Sequence, residues 1–263
     1  MPALLSGDRV DRVVGATMIA AALALAVVSA AVRADSSAPH WSYKGESGPE
    51  HWAALDPAYA TCGTGRRQSP IDIETTTAKA LPAIEFAYQP VPLVVNDNGH
   101  TFQVNAPAGS GGITVGGEHY DLVQFHFHRP SEERIHGHRY SMVTHLVHKN
   151  AKGELAVVAV LIRQGESNAF LKPLFDNFPA SGTAQASVAG TTLNLTDFLP
   201  KARAYYTFEG SLTTPPCSES VRWFVLKSAV EASPAQVAQF AARYPLNARP
   251  VQPLNDREVD EAR

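Results

Sequence analysis

The stretch Gln124-Phe125-His126-Phe127-His128 sets two histidines and two phenylalanines in strict alternation. Successive side chains of an extended strand point to opposite faces, so His126 and His128 share one face and Phe125 and Phe127 the other. Past a polar connection around Pro130 to His138, the run Met142-Val143-Thr144-His145-Leu146-Val147-His148 can return antiparallel beside this strand. His145 then joins the first two imidazoles. Similar short, β-branched or alternating runs recur at Leu93-Val94-Val95, Thr101 to Asn105, Tyr120 to His128, Tyr140 to His148 and Leu155 to Ile162, punctuated by Gly, Asn and Asp. They predict an antiparallel-rich sheet with Asn150-Ala151-Lys152-Gly153 as one hairpin connection. Helices are few. Ser167 is placed to cap a segment carrying Phe170, Leu174 and Phe178 on one face, and Ser233-Pro234 opens another before Val237 and Phe240. The fold class is therefore mainly β with a few short helices. Residues 35–70, rich in Gly, Pro, Ser and Trp, read as an irregular wrap over this scaffold, and Asn255 to Arg263 as a partly frayed end.

The chain has 263 residues, 44% of them hydrophobic, enough for one sizeable core and one domain. A net charge of -3 with scattered Lys and Arg offers no basic stripe for a phosphate backbone, which argues against a nucleic-acid partner. Arg9 and Arg12 precede an uncharged, Ala-rich run from Val13 to Val32, followed by Arg33-Ala34-Asp35. This pattern predicts a signal peptide over residues 1–34, cleaved near Ala34, and a mature domain over 35–263 free of stable membrane association. The run approaches bilayer-spanning length, so an uncleaved membrane anchor is the alternative. Export is expected to end in the periplasm. The two cysteines, Cys62 and Cys217, would form one disulfide closing a long loop in an oxidising compartment, or remain reduced and buried without export.

Three neutral imidazoles leave the full charge on a zinc ion, and an open fourth position leaves room for water, whose pKa such a site lowers to about 7. A His-x-His pair alone is a weak signal of this. The wider sequence is more specific. The blocks Gly48-Pro49-Glu50-His51-Trp52, Arg67-Gln68-Ser69-Pro70-Ile71-Asp72-Ile73, Asn98-Gly99-His100, Gln124 to His128, His145-Leu146-Val147-His148, Gly210-Ser211-Leu212-Thr213-Thr214-Pro215-Pro216 and Arg249-Pro250-Val251-Gln252-Pro253-Leu254 run in one order along the chain. Together they resemble the alpha-class carbonic anhydrases, in their bacterial, exported form. The resemblance implies a single domain on a large twisted, mostly antiparallel sheet. It also implies reversible hydration of carbon dioxide to bicarbonate and a proton by a zinc-bound hydroxide, with side activity on activated esters.

Carried over by position, His126, His128 and His145 are the zinc ligands, and Gln124 supports one of them. Thr213 is the gatekeeper that orients the hydroxide while donating to Glu132. Val147, Val157, Leu212, Val221 and Trp223, with Thr213 and Thr214, form the wall for carbon dioxide. Tyr43, Asn98 and Gln103 order waters toward His100, the proton shuttle. Cys62 and Cys217 match the family's disulfide. A homodimer is one option for the assembly, on which the sequence is silent. His40, His119, His136 and His138 match no catalytic position, and His148 is expected to pack rather than ligate. Two departures stand out. The family commonly has a glutamate two residues before the third ligand, where this chain has Val143, so looser zinc binding is expected, along with a gain from Val143→Glu. Glu133 stands where many relatives have histidine and is expected to perturb Glu132 by like charge.

Overall fold

The protein is described by a computed structural model over residues 40–180 and 184–262. The expected signal peptide, its alternative as an anchor, and the start of the mature domain lie outside the described residues. Among the described residues no helix is long and apolar enough to cross a membrane.

The alternation at Gln124 to His128 produces a strand, Glu118–His128, in which Phe125 and Phe127 are fully buried. Met142–Lys149 returns antiparallel, with His145 opposite His126 and Val143 opposite His128. The next strand, Leu155–Gln164, follows through the expected hairpin, where Asn150 Oδ1 accepts from the amides of Lys152 at 3.0 Å and Glu154 at 2.9 Å. Gly153 closes that turn at φ 86°, a conformation that costs glycine no steric clash.

Among the described residues the main sheet has 13 strands. Its spine runs Gln185–Leu193, Val91–Asp97, Phe102–Asn105, Glu118–His128, Met142–Lys149, Leu155–Gln164, Glu219–Leu226, Tyr205–Ser211, Asp260–Ala262, Thr77–Lys79. Most neighbours are antiparallel. Leu155–Gln164 and Glu219–Leu226 are parallel, because more than fifty intervening residues supply the long crossover that parallel neighbours need. The sheet is thus mixed, though mostly antiparallel as expected.

Its two faces do different work. One carries Phe125, Phe127, Leu146, Val158, Val160 and Phe224 into the larger core, closed by Leu171, Leu174 and Phe175 from one helix and Val237 and Phe240 from another. Each such side chain contributes about 1.5–3 kcal/mol by leaving water. The other face carries Val143, Val147, Val157, Val221 and Trp223 against Ile71 and Ile73. Leu155–Gln164 is buried on both faces, which is why its sequence runs apolar without alternation.

The helix Pro234–Arg243 starts as expected, with Ser233 Oγ accepting from the Gln236 amide at 3.2 Å and Gln236 Oε1 accepting from the Ser233 amide at 3.0 Å. The other helix is shorter, Leu171–Phe175, and its exposed amides are met by Asn168 rather than Ser167. Phe178 lies beyond it and stacks on Phe102 at 3.8 Å. The C-terminal end departs from the expected fraying: Asp260–Ala262 pairs on one side with Tyr206 and Thr207 and on the other with Thr77–Lys79. The N-terminal wrap consists of isolated single turns such as Trp52–Leu55 and Thr61–Thr64, with the Trp52 ring fully buried. Cys62 and Cys217 form a disulfide that ties this wrap to the loop after Thr213.

Candidate metal centre and cleft

Strand pairing sets His145 across from His126, and a two-residue step along one strand separates His126 from His128. One ring nitrogen from each of the three lies within 4.8 Å of the others. The second nitrogen of each ring is engaged elsewhere. His126 Nδ1 meets Gln124 Oε1 at 2.8 Å, His128 Nδ1 meets the Asn247 carbonyl at 2.7 Å, and His145 Nε2 meets Glu133 Oε1 at 3.0 Å. A carbonyl or carboxylate oxygen can only accept, so these contacts place the ring protons there. The lone pairs of His126 Nε2, His128 Nε2 and His145 Nδ1 remain for a shared ligand, and His128 Nε2 is buried without any hydrogen-bond partner. Burial holds all three rings neutral: His128 is lowered to about 4, and His126 and His145 fall well below the ordinary imidazole value, helped by the neighbouring histidines. Three neutral nitrogen donors with engaged partner nitrogens fit a tetrahedral divalent cation with one position left for a small molecule.

The gap expected at Val143 is filled from another direction. Val143 is fully buried within the apolar face, and the carboxylate that meets His145 comes from Glu133. Its neighbour Glu132 is held by the Arg249 amide, which donates to Oε1 at 2.7 Å. Glu132 Oε2 turns toward the centre, 3.6 Å from His128 Nε2 and 3.9 Å from His145 Nδ1. Burial raises the pKa of both carboxyls, and the charge of Glu133 adds to the rise at Glu132, so the expected like-charge effect has an upward sign. The Thr213 hydroxyl and the Arg249 amide pull Glu132 back down.

Over the histidines opens a cleft of about 110 Å³, lined by Tyr43, Asn98, His100, Gln103, Gln124, His126, His128 and Thr214. The polar residues singled out in the sequence are thus brought together, and the Tyr43 hydroxyl is buried there without a partner. Val147, Val157, Val221 and Trp223 form one apolar cluster on which Leu212 packs, with the Trp223 ring edge-on to His145 at 4.9 Å. Gly210 permits this packing, since a Cβ there would stand 2.2 Å from Ser69 Oγ and 2.7 Å from the Trp223 ring. His100 stacks on Trp41 at 3.6 Å and lines both the cleft and a larger neighbouring depression. Partial burial, and then His40, lower its pKa.

The family model of eukaryotic-type carbonic anhydrases matches residues 47–263. This chain belongs to that family. A carbonic anhydrase of Klebsiella pneumoniae is 46% identical over 244 residues, covering 92% of this chain and 97% of its own. Among solved structures, an alpha-carbonic anhydrase of Photobacterium profundum is similar at 44% identity with a TM-score of 0.79, covering 84% of this chain and all of its own. The alpha-carbonic anhydrase of Thermovibrio ammonificans, in complex with the inhibitor sulfanilamide, is similar at 40% identity and a TM-score of 0.81, covering 84% of this chain and 99% of its own. Carbonic anhydrase names the activity, and both the family and the mixed, twisted sheet support carbon dioxide hydration for this chain.

Within this carbonic anhydrase, four contributors escaped the sequence reading: Trp41, Glu133 as a partner of His145, Asn247 and Arg249. Asn247 touches His128 through its main-chain oxygen, which no side-chain pattern reveals. Its side chain donates to the carbonyls of Phe127 at 2.9 Å and His100 at 3.0 Å, and accepts from the Arg129 amide at 2.7 Å. The Arg249 guanidinium, almost fully buried, donates to Gln68 Oε1, Ser69 O and Cys62 O. The signal for both was the matched block at Arg249 and its approach, where a charged residue stands among prolines.

Proposed function

We propose that this carbonic anhydrase is an exported, zinc-dependent enzyme in which His126, His128 and His145 hold the metal and His100 relays the proton. The observation that carries this reading is the convergence of three free imidazole nitrogens whose ring partners are all engaged. When bound, zinc supplies Lewis-acid activation of water at neutral pH. Thr213 and Glu132 orient the attacking oxygen: the threonine hydroxyl donates to Glu132, which the Arg249 amide fixes, and so presents its own oxygen as an acceptor toward the centre. Carbon dioxide, small and apolar, lies against Val147, Val157, Leu212, Val221 and Trp223, an apolar wall that matches it. Thr213 and Thr214 border that position. The proton leaves along the polar wall of Tyr43, Asn98 and Gln103 to His100, whose place between cleft and outer depression suits it to hand the proton to buffer. The same centre gives side activity on activated esters. Export to the periplasm is supported by the disulfide, which belongs to an oxidising compartment, together with the leader pattern.

Stopped-flow carbon dioxide hydration, run with metal analysis before and after chelation, tests the reading. The expected result is near-stoichiometric zinc, hydration that falls on chelation, and recovery with added zinc. A folded protein that neither contains nor takes up zinc and does not hydrate carbon dioxide overturns it.

A further inference from the structure

We infer that Glu133 is the positioning residue for His145 in this chain, a task moved from the strand that carries the ligand to the turn beside it, and that Val143 is its counterpart. The inference rests on the zinc reading above. Position 143 stands two residues before His145 on the same strand face, so a carboxylate there would reach the ring from within the strand. Here that place is apolar: Val143 is fully buried and packs in one cluster with Val147, Val157 and Trp223. The carboxylate arrives instead from the turn Ser131-Glu132-Glu133, with Glu133 Oε1 3.0 Å from His145 Nε2.

The turn is built to deliver it. Ser131 Oγ donates to the Glu133 carbonyl at 2.8 Å, and the Ser131 amide donates to Tyr140 O at 3.1 Å. On the far side, Arg134 pairs with Asp72 in a parallel bridge, while the Arg249 amide holds Glu132. Glu133 thus sits between two anchored neighbours, itself fully buried. His145 Nε2 carries one proton and can serve one strong acceptor, so a carboxylate at 133 and a carboxylate at 143 are alternatives rather than additions. The gain expected from Val143→Glu therefore disappears while Glu133 is present, because the second buried carboxylate would find no donor.

Zinc release to a chelator, followed by a colorimetric zinc indicator and paired with a thermal melt of each variant, decides the matter. Glu133→Gln, which keeps the shape and removes the charge, is expected to speed zinc loss by about 10- to 100-fold. Val143→Glu alone is expected to give no slower loss than the natural chain. Glu133→Gln combined with Val143→Glu is expected to regain most of what the first change lost, a recovery that a merely structural role for Glu133 would not produce. Should the glutamine variant fail to fold, Glu133→Asp takes its place, since the shorter side chain withdraws the oxygen and keeps the charge. Zinc loss at the natural rate from a folded Glu133 variant overturns the inference, as does a folded double variant that releases zinc as fast as the single one. A natural chain that takes up no zinc would instead overturn the zinc reading itself.

Discussion

At the scale of single residues, the site depends on which atoms have a partner and which are kept free. Glu132 shows this: one oxygen is pinned by a main-chain amide and the other faces the imidazole nitrogens, so the group accepts from one direction only. Thr213 is the residue proposed above to orient the attacking oxygen through Glu132, a role of direction rather than strength. Thr213→Val removes the hydroxyl at nearly constant shape. It is expected to lower kcat/KM for carbon dioxide hydration by about a hundredfold with zinc content unchanged, while Thr213→Ser retains most of the activity. Parallel rates and metal analyses on the two variants check this, and equal rates for valine and threonine would remove the orienting role. The relay proposed for His100 belongs to a different step. His100→Ala is expected to lower turnover in weak buffer, leave kcat/KM unchanged, and recover with imidazole; turnover insensitive to buffer would take the relay away from it.

At the scale of elements, the sheet was legible because a two-residue period is local: alternation at Gln124 to His128 gave both the aromatic core face and the imidazole face. What stayed hidden were contacts between elements distant in sequence. Nothing near Glu133 announces that its side chain ends on His145, and nothing near Asn247 announces that its carbonyl meets His128, since both depend on how a turn folds over a strand. Ser167 lost its expected capping role to Asn168 for the related reason that neighbouring polar residues compete for the same amides. Asn247 joins three elements: the exit of the helix Pro234–Arg243, the end of the histidine strand and the turn that carries His100. Asn247→Ala leaves the Arg129 amide without its side-chain acceptor and the Phe127 carbonyl with the Thr101 hydroxyl as its remaining side-chain donor. The expected cost is about 1–3 kcal/mol in urea unfolding, together with slower proton transfer in weak buffer. An unaltered midpoint would mean that water replaces the side chain there.

At the scale of the whole molecule, two features modulate the stability that the apolar core supplies. His148 is fully buried, its Nε2 2.8 Å from the Tyr88 hydroxyl, and burial lowers its pKa from 6.5 to about 3. The unfolded chain therefore takes up this proton first, so the contribution is complete above about pH 6.5 and is lost as pH falls toward 3, on the order of 5 kcal/mol over that window. His148→Gln should unfold more easily at pH 7 yet lose less of its denaturant midpoint on acidification; equal slopes for both proteins would assign the acid sensitivity elsewhere. The disulfide itself carries no titrating group. Cys62 and Cys217 are 155 residues apart, and closing so long a loop restricts the unfolded chain by about 5 kcal/mol in the chain-entropy account. Its ends also lie near the chemistry. Cys62 O accepts from Arg249, whose amide holds Glu132, and the Cys217 amide donates to Thr214 O at 2.8 Å. Opening the bond should therefore act twice. Cys62→Ser with Cys217→Ser is expected to lower unfolding stability by about 2–5 kcal/mol and to reduce hydration even well below the melting temperature, because the threonine loop and the Glu132 anchor loosen together. Urea melts and hydration rates on oxidised protein, reduced protein and the double serine variant read both effects. Loss of stability with activity intact would confine the crosslink to the unfolded chain, and equal melts throughout would leave it no structural role.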